Sequence, residues 1–129
     1  MPPKLSAAAA SYLRFLRLVD GVKSRPSPST PALDAKEEEL LNELALHWRS
    51  GQPLAVREAM QLASLGSPST LHRRIARLKA MGLIENKASP GNLLIKLLVP
   101  TGRTMQYFDK LGAALTKALK PNACATGGA

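Results

Sequence analysis

Residues 67–82 read SPSTLHRRIARLKAMG, and this run predicts a short helix with a clear signal at each end. Ser67 is a favourable N-cap residue, and Pro68 follows at the first helical position, where its missing N–H costs nothing. Gly82 is the residue type that most often ends a helix. We therefore predict a helix over residues 67–81.

The two faces of this helix differ in chemistry. Leu71, Ile75 and Leu78 share one face, which we expect to be buried, and Arg74 borders it, where a structural role and a phosphate contact are both open. The opposite face carries short hydroxyls and then basic side chains, and the helix contains no acid. Hydroxyls and a helix N-terminus can hold phosphate, and arginine can donate two parallel hydrogen bonds to guanine. The candidate DNA contacts on this face are Ser69, Thr70, His72, Arg73 and Arg77.

After Gly82 the periodicity changes from helical to strand-like. Residues 83–87 and 93–99 are strand candidates, and the ASPGN sequence of residues 88–92 between them is typical of a turn. A β-hairpin of this kind can lie along a phosphate backbone or enter the minor groove. The candidate contacts on the hairpin are Lys87 and Lys96.

Upstream of this region the pattern predicts two more helices. Asp34 as N-cap with Glu37 three positions later forms a capping box, and the acidic first turn suits the helix dipole, so these acids need no catalytic explanation. This helix should end at Gly51. An extended segment over residues 53–56 and a helix over residues 57–64 are expected to follow.

The charge of the chain points to a polyanionic partner. Among 129 residues, 18 are Lys or Arg and 9 are Asp or Glu, which gives a formal charge of +9. Residues 67–103 hold seven of the cations and only one acid. A small domain of this charge is expected to meet nucleic acid or an anionic membrane surface, while a merely solvated charged face is the plainer alternative.

Other function classes lack their sequence signals. Cys124, the single cysteine, excludes an intrachain disulfide framework, and with two histidines the chain has no metal-ligand spacing. There is no Gly-x-Ser-x-Gly elbow and no glycine-rich phosphate loop. We therefore expect no enzyme, no catalytic residue, no metal, no cofactor and no membrane-spanning segment.

The two ends of the chain carry more apolar surface than a small core can cover. We predict that these terminal helices pack together across a two-fold axis and make a homodimer. For the basic, apolar N-terminal segment an organellar transit peptide is the open alternative. The N-terminal stripe consists of Leu5, Ala9, Tyr12, Leu16 and Val19, and the C-terminal one, after an N-cap at Thr101, of Met105, Phe108, Leu111, Leu115 and Leu119.

These observations predict five consecutive segments. An N-terminal dimerisation helix over residues 1–23 and a Pro/Ser linker over 24–33 come first. A DNA-binding domain over 34–100, a C-terminal dimerisation helix over 101–120 and a mobile tail over 121–129 follow.

The run Val56–Ile84, VREAMQLASLGSPSTLHRRIARLKAMGLI, resembles the helix-turn-helix of winged-helix bacterial transcription regulators of the multiple-antibiotic-resistance regulator (MarR) type. The PTGR sequence at residues 100–103 is similar to that family's entry to its C-terminal helix. The resemblance spans residues 32–119. It implies a mainly α fold with a small β-hairpin wing (α+β), that is, a winged helix-turn-helix with N- and C-terminal dimerisation helices.

The resemblance also implies a function. A homodimer would place the recognition helix, residues 67–81, of each subunit in the major groove and the wing, residues 87–96, on the backbone or in the minor groove. The resemblance also adds Ser67 on the helix and Asn92 in the wing to the candidate DNA contacts. We thus expect a cytoplasmic, sequence-specific regulator of transcription that binds double-stranded DNA. The alternative is a winged-helix interaction module with an acidic protein partner. Two features depart from the family: the wing has no arginine at its tip, and a linker follows the N-terminal helix. No residue marks a pocket for a small-molecule effector.

Overall fold

The computed structural model describes residues 4–25 and 30–120. The chain divides into two compact units, one formed by Ala32–Met105 and the other by Met1–Pro31 with Gln106–Ala129. The predicted tail, Cys124 within it, and residues 26–29 of the predicted linker lie outside the described residues.

The fold is mainly helical with one two-stranded antiparallel sheet. In chain order the elements are α1 (Ala7–Lys23), α2 (Ala35–Arg49), α3 (Val56–Ala59), a 3-10 turn (Ala63–Leu65), α4 (Pro68–Ala80), β1 (Ile84–Ser89), β2 (Asn92–Pro100) and α5 (Gly102–Ala118).

The predicted capping box begins helix α2. The Glu37 N–H donates to Asp34 Oδ1 at 2.7 Å, and the Asp34 N–H donates to Glu37 Oε1 at 3.0 Å. Two donors that the first helical turn cannot satisfy internally are therefore paired. After the helix, Gly51 adopts a φ of 77°, the left-handed conformation expected of the residue that ends it.

The helix predicted over residues 57–64 is wrong. The structure has the single turn of α3 and then the separate 3-10 turn, with residues 60–62 between them. Ala59 is the only residue of these two pieces that is fully buried, so packing supports one helical turn here and not two. Arg74 Nη1 donates to the Leu65 carbonyl at 2.8 Å and fixes the second piece in place.

Helix α4 confirms the prediction from its capping residues. Ser67 is the N-cap, with its side chain accepting the Thr70 N–H at 3.3 Å, and Pro68 occupies the first helical position. Gly82 follows the helix with a φ of 73°. The buried residues of the helix are Leu71, Ile75 and Leu78.

The hairpin is regular near its base and irregular at its tip. The register runs from Ile84 opposite Pro100 to Ala88 opposite Lys96, but the next pair is Ser89 with Asn92. The three residues 93–95 of β2 therefore bulge out without a partner on β1. The predicted extended segment is also present, because Ala55 forms an isolated bridge with Leu97 of β2.

The core of the Ala32–Met105 unit lies between α2, α4 and the sheet. Trp48 of α2 connects to the sheet by donating its indole N–H to the Leu98 carbonyl at 2.8 Å. The large buried side chains are Leu40, Leu41, Leu44, Leu71, Ile75, Leu78, Leu83, Ile84 and Leu98.

In the other unit the N- and C-terminal helices are in contact, since Arg14 Nε donates to the Ala118 carbonyl at 3.2 Å. Helix α1 has no fully buried residue. None of the helices described, over residues 4–25 and 30–120, is long and apolar enough to cross a membrane. Large apolar side chains stay exposed on both helices of this unit or directly beside their ends, namely Leu5, Tyr12, Leu13, Leu16, Leu115 and Leu119.

Candidate nucleic-acid interface

Helix α4 turns its polar face outward. Ser69, His72 and Arg73 are exposed, while Leu71 and Ile75 beside them are buried. The division of the helix into a buried and an exposed face is thus the one expected from the sequence. Its N-terminal half presents a hydroxyl, an imidazole and a guanidinium to solvent, a set that can donate to phosphates and to base edges.

The hydroxyls at the start of α4 do not all point outward for binding. Ser67 Oγ accepts from the Thr70 N–H and donates to Thr70 Oγ1 at 3.0 Å, so these two side chains bond to each other. Ser69 Oγ lies 3.3 Å from Ser67 Oγ on the exposed side. Ser69 is consequently the outermost hydroxyl of the predicted set, and the other two also hold the helix start.

Arg77 forms an ion pair that its position on the helical wheel did not reveal. Its Nε pairs with Oε2 of Glu37 on α2, while Glu37 Oε1 serves the capping box. The carboxylate is almost completely buried, with 2% of the side chain exposed, whereas 62% of the Arg77 side chain is exposed. The predicted DNA contact Arg77 therefore also ties α4 to α2, and Glu37 does more than cap its own helix.

The Arg74 guanidinium has the structural role that was one of its two alternatives. Besides its bond to the Leu65 carbonyl, it lies against Gly66, which has a φ of 145°. A Cβ at Gly66 would stand 3.2 Å from Arg74 Nη1 and would be strained by the backbone conformation. The turn before α4 thus needs glycine, and Arg74 closes over it.

The end of α4 is held by the segment that leads into α5. Thr101 Oγ1 donates to the Gly82 carbonyl at 2.6 Å, and Arg103 donates to the Met81 carbonyl. Thr104, which is buried, donates its hydroxyl to the Leu83 carbonyl. These carbonyls follow the last helical turn and have no helical partner. Sequence reasoning noted the PTGR motif only through resemblance and missed this role.

The wing presents its two predicted lysines on different faces. Lys87 stands opposite Leu97 and Lys96 opposite Ala88, and residues that are directly opposite share a face of the ribbon. Asn92 has a local partner, since its Oδ1 accepts the Leu94 N–H at 3.0 Å. The predicted turn over residues 88–92 is followed by three apolar residues that are exposed, Leu93, Leu94 and Ile95.

No metal-binding cluster of His, Cys, Asp or Glu occurs in the part of the chain that the structure describes. The exposed side chains of α4, among them Ser69, His72 and Arg73, are hydrogen-bond donors and cations. This helix is tied to its own unit at its start, along its length and at its end.

Comparison with known proteins identifies the fold. YusO from Bacillus subtilis has a TM-score of 0.52 at 15% identity, over 87% of this chain and 70% of that one. A probable transcriptional regulator from Pseudomonas aeruginosa gives 0.51 at 17%, over 86% and 75%. The PcaV transcriptional regulator from Streptomyces coelicolor gives 0.50 at 18%, over 88% and 75%.

These likenesses show that the chain has a MarR-like winged helix-turn-helix fold, which confirms the predicted mainly α fold with a β-hairpin wing. Two of the three proteins bear the name of transcriptional regulators, and none is named as an enzyme. No protein-family model matches the chain, and no curated protein matches it.

Proposed function

We propose that this protein is a sequence-specific, double-stranded DNA-binding regulator of transcription that acts as a homodimer. The observation that carries the proposal is the exposed N-terminal half of α4, where Ser69, His72 and Arg73 stand on a helix fixed to its unit. A helix of this size fits the major groove, and its N-terminal residues are those that reach base edges in helix-turn-helix proteins.

Arg73 is the residue most directly available to a base. Of the three arginines on α4, Arg74 bonds to the Leu65 carbonyl and Arg77 pairs with Glu37. Arg73 is exposed and makes no hydrogen bond or ion pair within residues 4–25 and 30–120. Its guanidinium can therefore donate both of its parallel hydrogen bonds to guanine O6 and N7 without breaking an internal contact.

The dimer is proposed from the apolar surface of the terminal helices. Tyr12 and Leu16 on α1 and Leu115 on α5 are exposed in the isolated chain, and large apolar side chains exposed in such numbers are typical of a protein interface. A two-fold dimer would present two copies of α4 about 34 Å apart, which is one turn of DNA, to a palindromic site. A bacterial regulator of this type acts in the cytoplasm, where the DNA is.

The experiment is selection of bound duplexes from a random pool, followed by titration of the selected site against competitor DNA. We expect Arg73→Ala to weaken specific binding about 10- to 100-fold, the range for loss of one bidentate base contact. Arg49→Ala is the matched control, because Arg49 is an exposed arginine of the same unit that lies on α2 instead of α4.

Three outcomes would decide against the proposal. Selection that enriches no sequence refutes specific binding. Equal losses for Arg73→Ala and Arg49→Ala mean that the basic charge acts only as a general attraction to phosphates. If the chain binds no DNA and its basic face binds an acidic protein, the interaction module is the correct function.

A further inference from the structure

The wing carries an apolar protrusion that the hairpin does not need. In the step from the Ala88–Lys96 pair to the Ser89–Asn92 pair, β2 holds Leu93, Leu94 and Ile95, with exposed fractions of 72%, 91% and 42%. A two-residue turn could close a ribbon without this bulge. Three neighbouring large apolar side chains in water mark a contact surface, because such patches are otherwise avoided.

The backbone of the protrusion is held in shape. The Leu94 N–H, which has no partner across the ladder, donates to Asn92 Oδ1 at 3.0 Å. An Asn side chain that bonds two residues ahead fixes a turn in the way a backbone bond does. Leu94, the most exposed of the three, therefore projects from an ordered bulge.

The surroundings of the protrusion are cationic. Leu94 and Ile95 line an open groove of about 1030 Å³ together with Arg57, Lys79 and Lys96. One acid, Glu58, also lines this groove and accepts the Ala55 N–H at 2.9 Å, so the three cations leave the lining with a net positive charge. An apolar protrusion beside three cations is complementary to a polyanion whose interior is apolar.

We infer that the protrusion formed by Leu93, Leu94 and Ile95 is a wedge that enters the minor groove of DNA. The three cations beside it, Arg57, Lys79 and Lys96, would contact the flanking phosphates. Leucine and isoleucine are among the side chains that enter between base steps and unstack them, which kinks the duplex. A second copy of this chain fits this surface less well, because the same cations on the second copy would face and repel the cations on the first. The inference rests on the proposed function and adds that the bound DNA is bent.

The wedge also gives the wing a means of selecting sequence. Pyrimidine–purine steps unstack at lower cost than other steps, so they should be favoured where Leu94 enters. This readout needs no hydrogen bond to a base. It would therefore act without an arginine at the tip of the wing, the residue that this chain lacks there.

The test uses the full-length protein and the selected duplex, labelled at both ends for energy transfer, with 2-aminopurine at the step that faces the wing. We expect the wild type to shorten the end-to-end distance and to raise the 2-aminopurine fluorescence. Leu94→Ala should lose most of both signals and bind this site about 3- to 30-fold more weakly, because less apolar side chain is buried against the bases. Leu46→Ala is the matched control, since Leu46 is 61% exposed in the same unit but lies on α2.

The outcomes separate the wedge from the function on which it rests. Specific, Arg73-dependent binding to a straight duplex, or an unchanged bend with Leu94→Ala, overturns the wedge alone. If selection enriches no sequence, the proposed function fails and the wedge with it. If Leu94→Ala leaves the bend intact but lowers the molar mass seen by light scattering, the protrusion contacts a second copy and the wedge is wrong.

Discussion

An ion pair between Glu37 and Arg77 joins α2 to α4, and we expect its loss to lower the free energy of unfolding more than the loss of any other single polar contact between these helices. In Glu37→Gln, one of the two donors that face this side chain, the Asp34 N–H or Arg77 Nε, loses its oxygen acceptor. A hydrogen bond to a charged group contributes about 1.5–3 kcal/mol, so we expect a loss of about 2 kcal/mol in the free energy of unfolding.

Arg77→Ala should cost more than Glu37→Gln. It leaves a carboxylate that is 2% exposed with one oxygen unpaired, and breaking a buried pair in this way costs about 3–5 kcal/mol. Because 62% of the Arg77 side chain is exposed, water can reach the vacated place, and we lower the expectation to about 2–4 kcal/mol. In the double variant both charges are absent, so its cost should fall short of the sum by about 1–2 kcal/mol.

Urea unfolding followed by tryptophan fluorescence measures these differences, since Trp48 is the only tryptophan and lies in the same unit. Glu39→Gln is the control for charge alone. Its carboxylate pairs with Lys36 at 3.4 Å on the surface, and the change should stay within about 0.5 kcal/mol. Additive costs in the double variant, or a control as costly as Glu37→Gln, would refute the reasoning.

Two further changes test other parts of the molecule. Gly66→Ala should lower the free energy of unfolding by about 1–3 kcal/mol, because alanine is strained at a φ of 145° and its Cβ meets Arg74. Gly51→Ala is the control in the same urea titration. It should cost less, because its Cβ is strained by the backbone but meets no atom within 4 Å. Leu16→Glu should convert the proposed dimer into a monomer in sedimentation equilibrium. Leu46→Glu is the control and should not, because Leu46 is an even more exposed leucine but belongs to the other unit. A monomeric wild type would contradict the dimer outright.

The parts of the fold that the sequence predicted are those with local causes. Ser67 and Gly82 fix the ends of α4, and the Asp34–Glu37 pair fixes the start of α2, through bonds that span three or four residues. The spacing of Leu71 and Ile75 fixes which face is buried. Each of these signals acts within one turn of helix and so survives in any tertiary setting that keeps the helix.

The parts that could not be predicted depend on contacts between distant residues. A helical wheel gives the direction in which Arg77 leaves the helix, but not that its side chain bends back to Glu37, forty residues earlier in the chain. The sequence of residues 93–99 reads as one apolar strand, and only the pairing of Ser89 with Asn92 places its first three residues outside the ladder. A register of this kind is set by the turn and the partner strand, not by composition.

The contacts of the basic residues bear on how such a protein could discriminate sequence. Arg74 and Arg103 bond to backbone carbonyls and Arg77 to Glu37, so these cations hold α4 and the segments beside it. A helix fixed in this way loses little conformational entropy when it binds, and a misplaced base cannot be accommodated by moving the helix. Specific reading would then fall to Arg73 and its exposed neighbour His72. Part of the basic charge of residues 67–103 therefore holds in shape the surface that we propose for DNA, instead of being free to attract a partner.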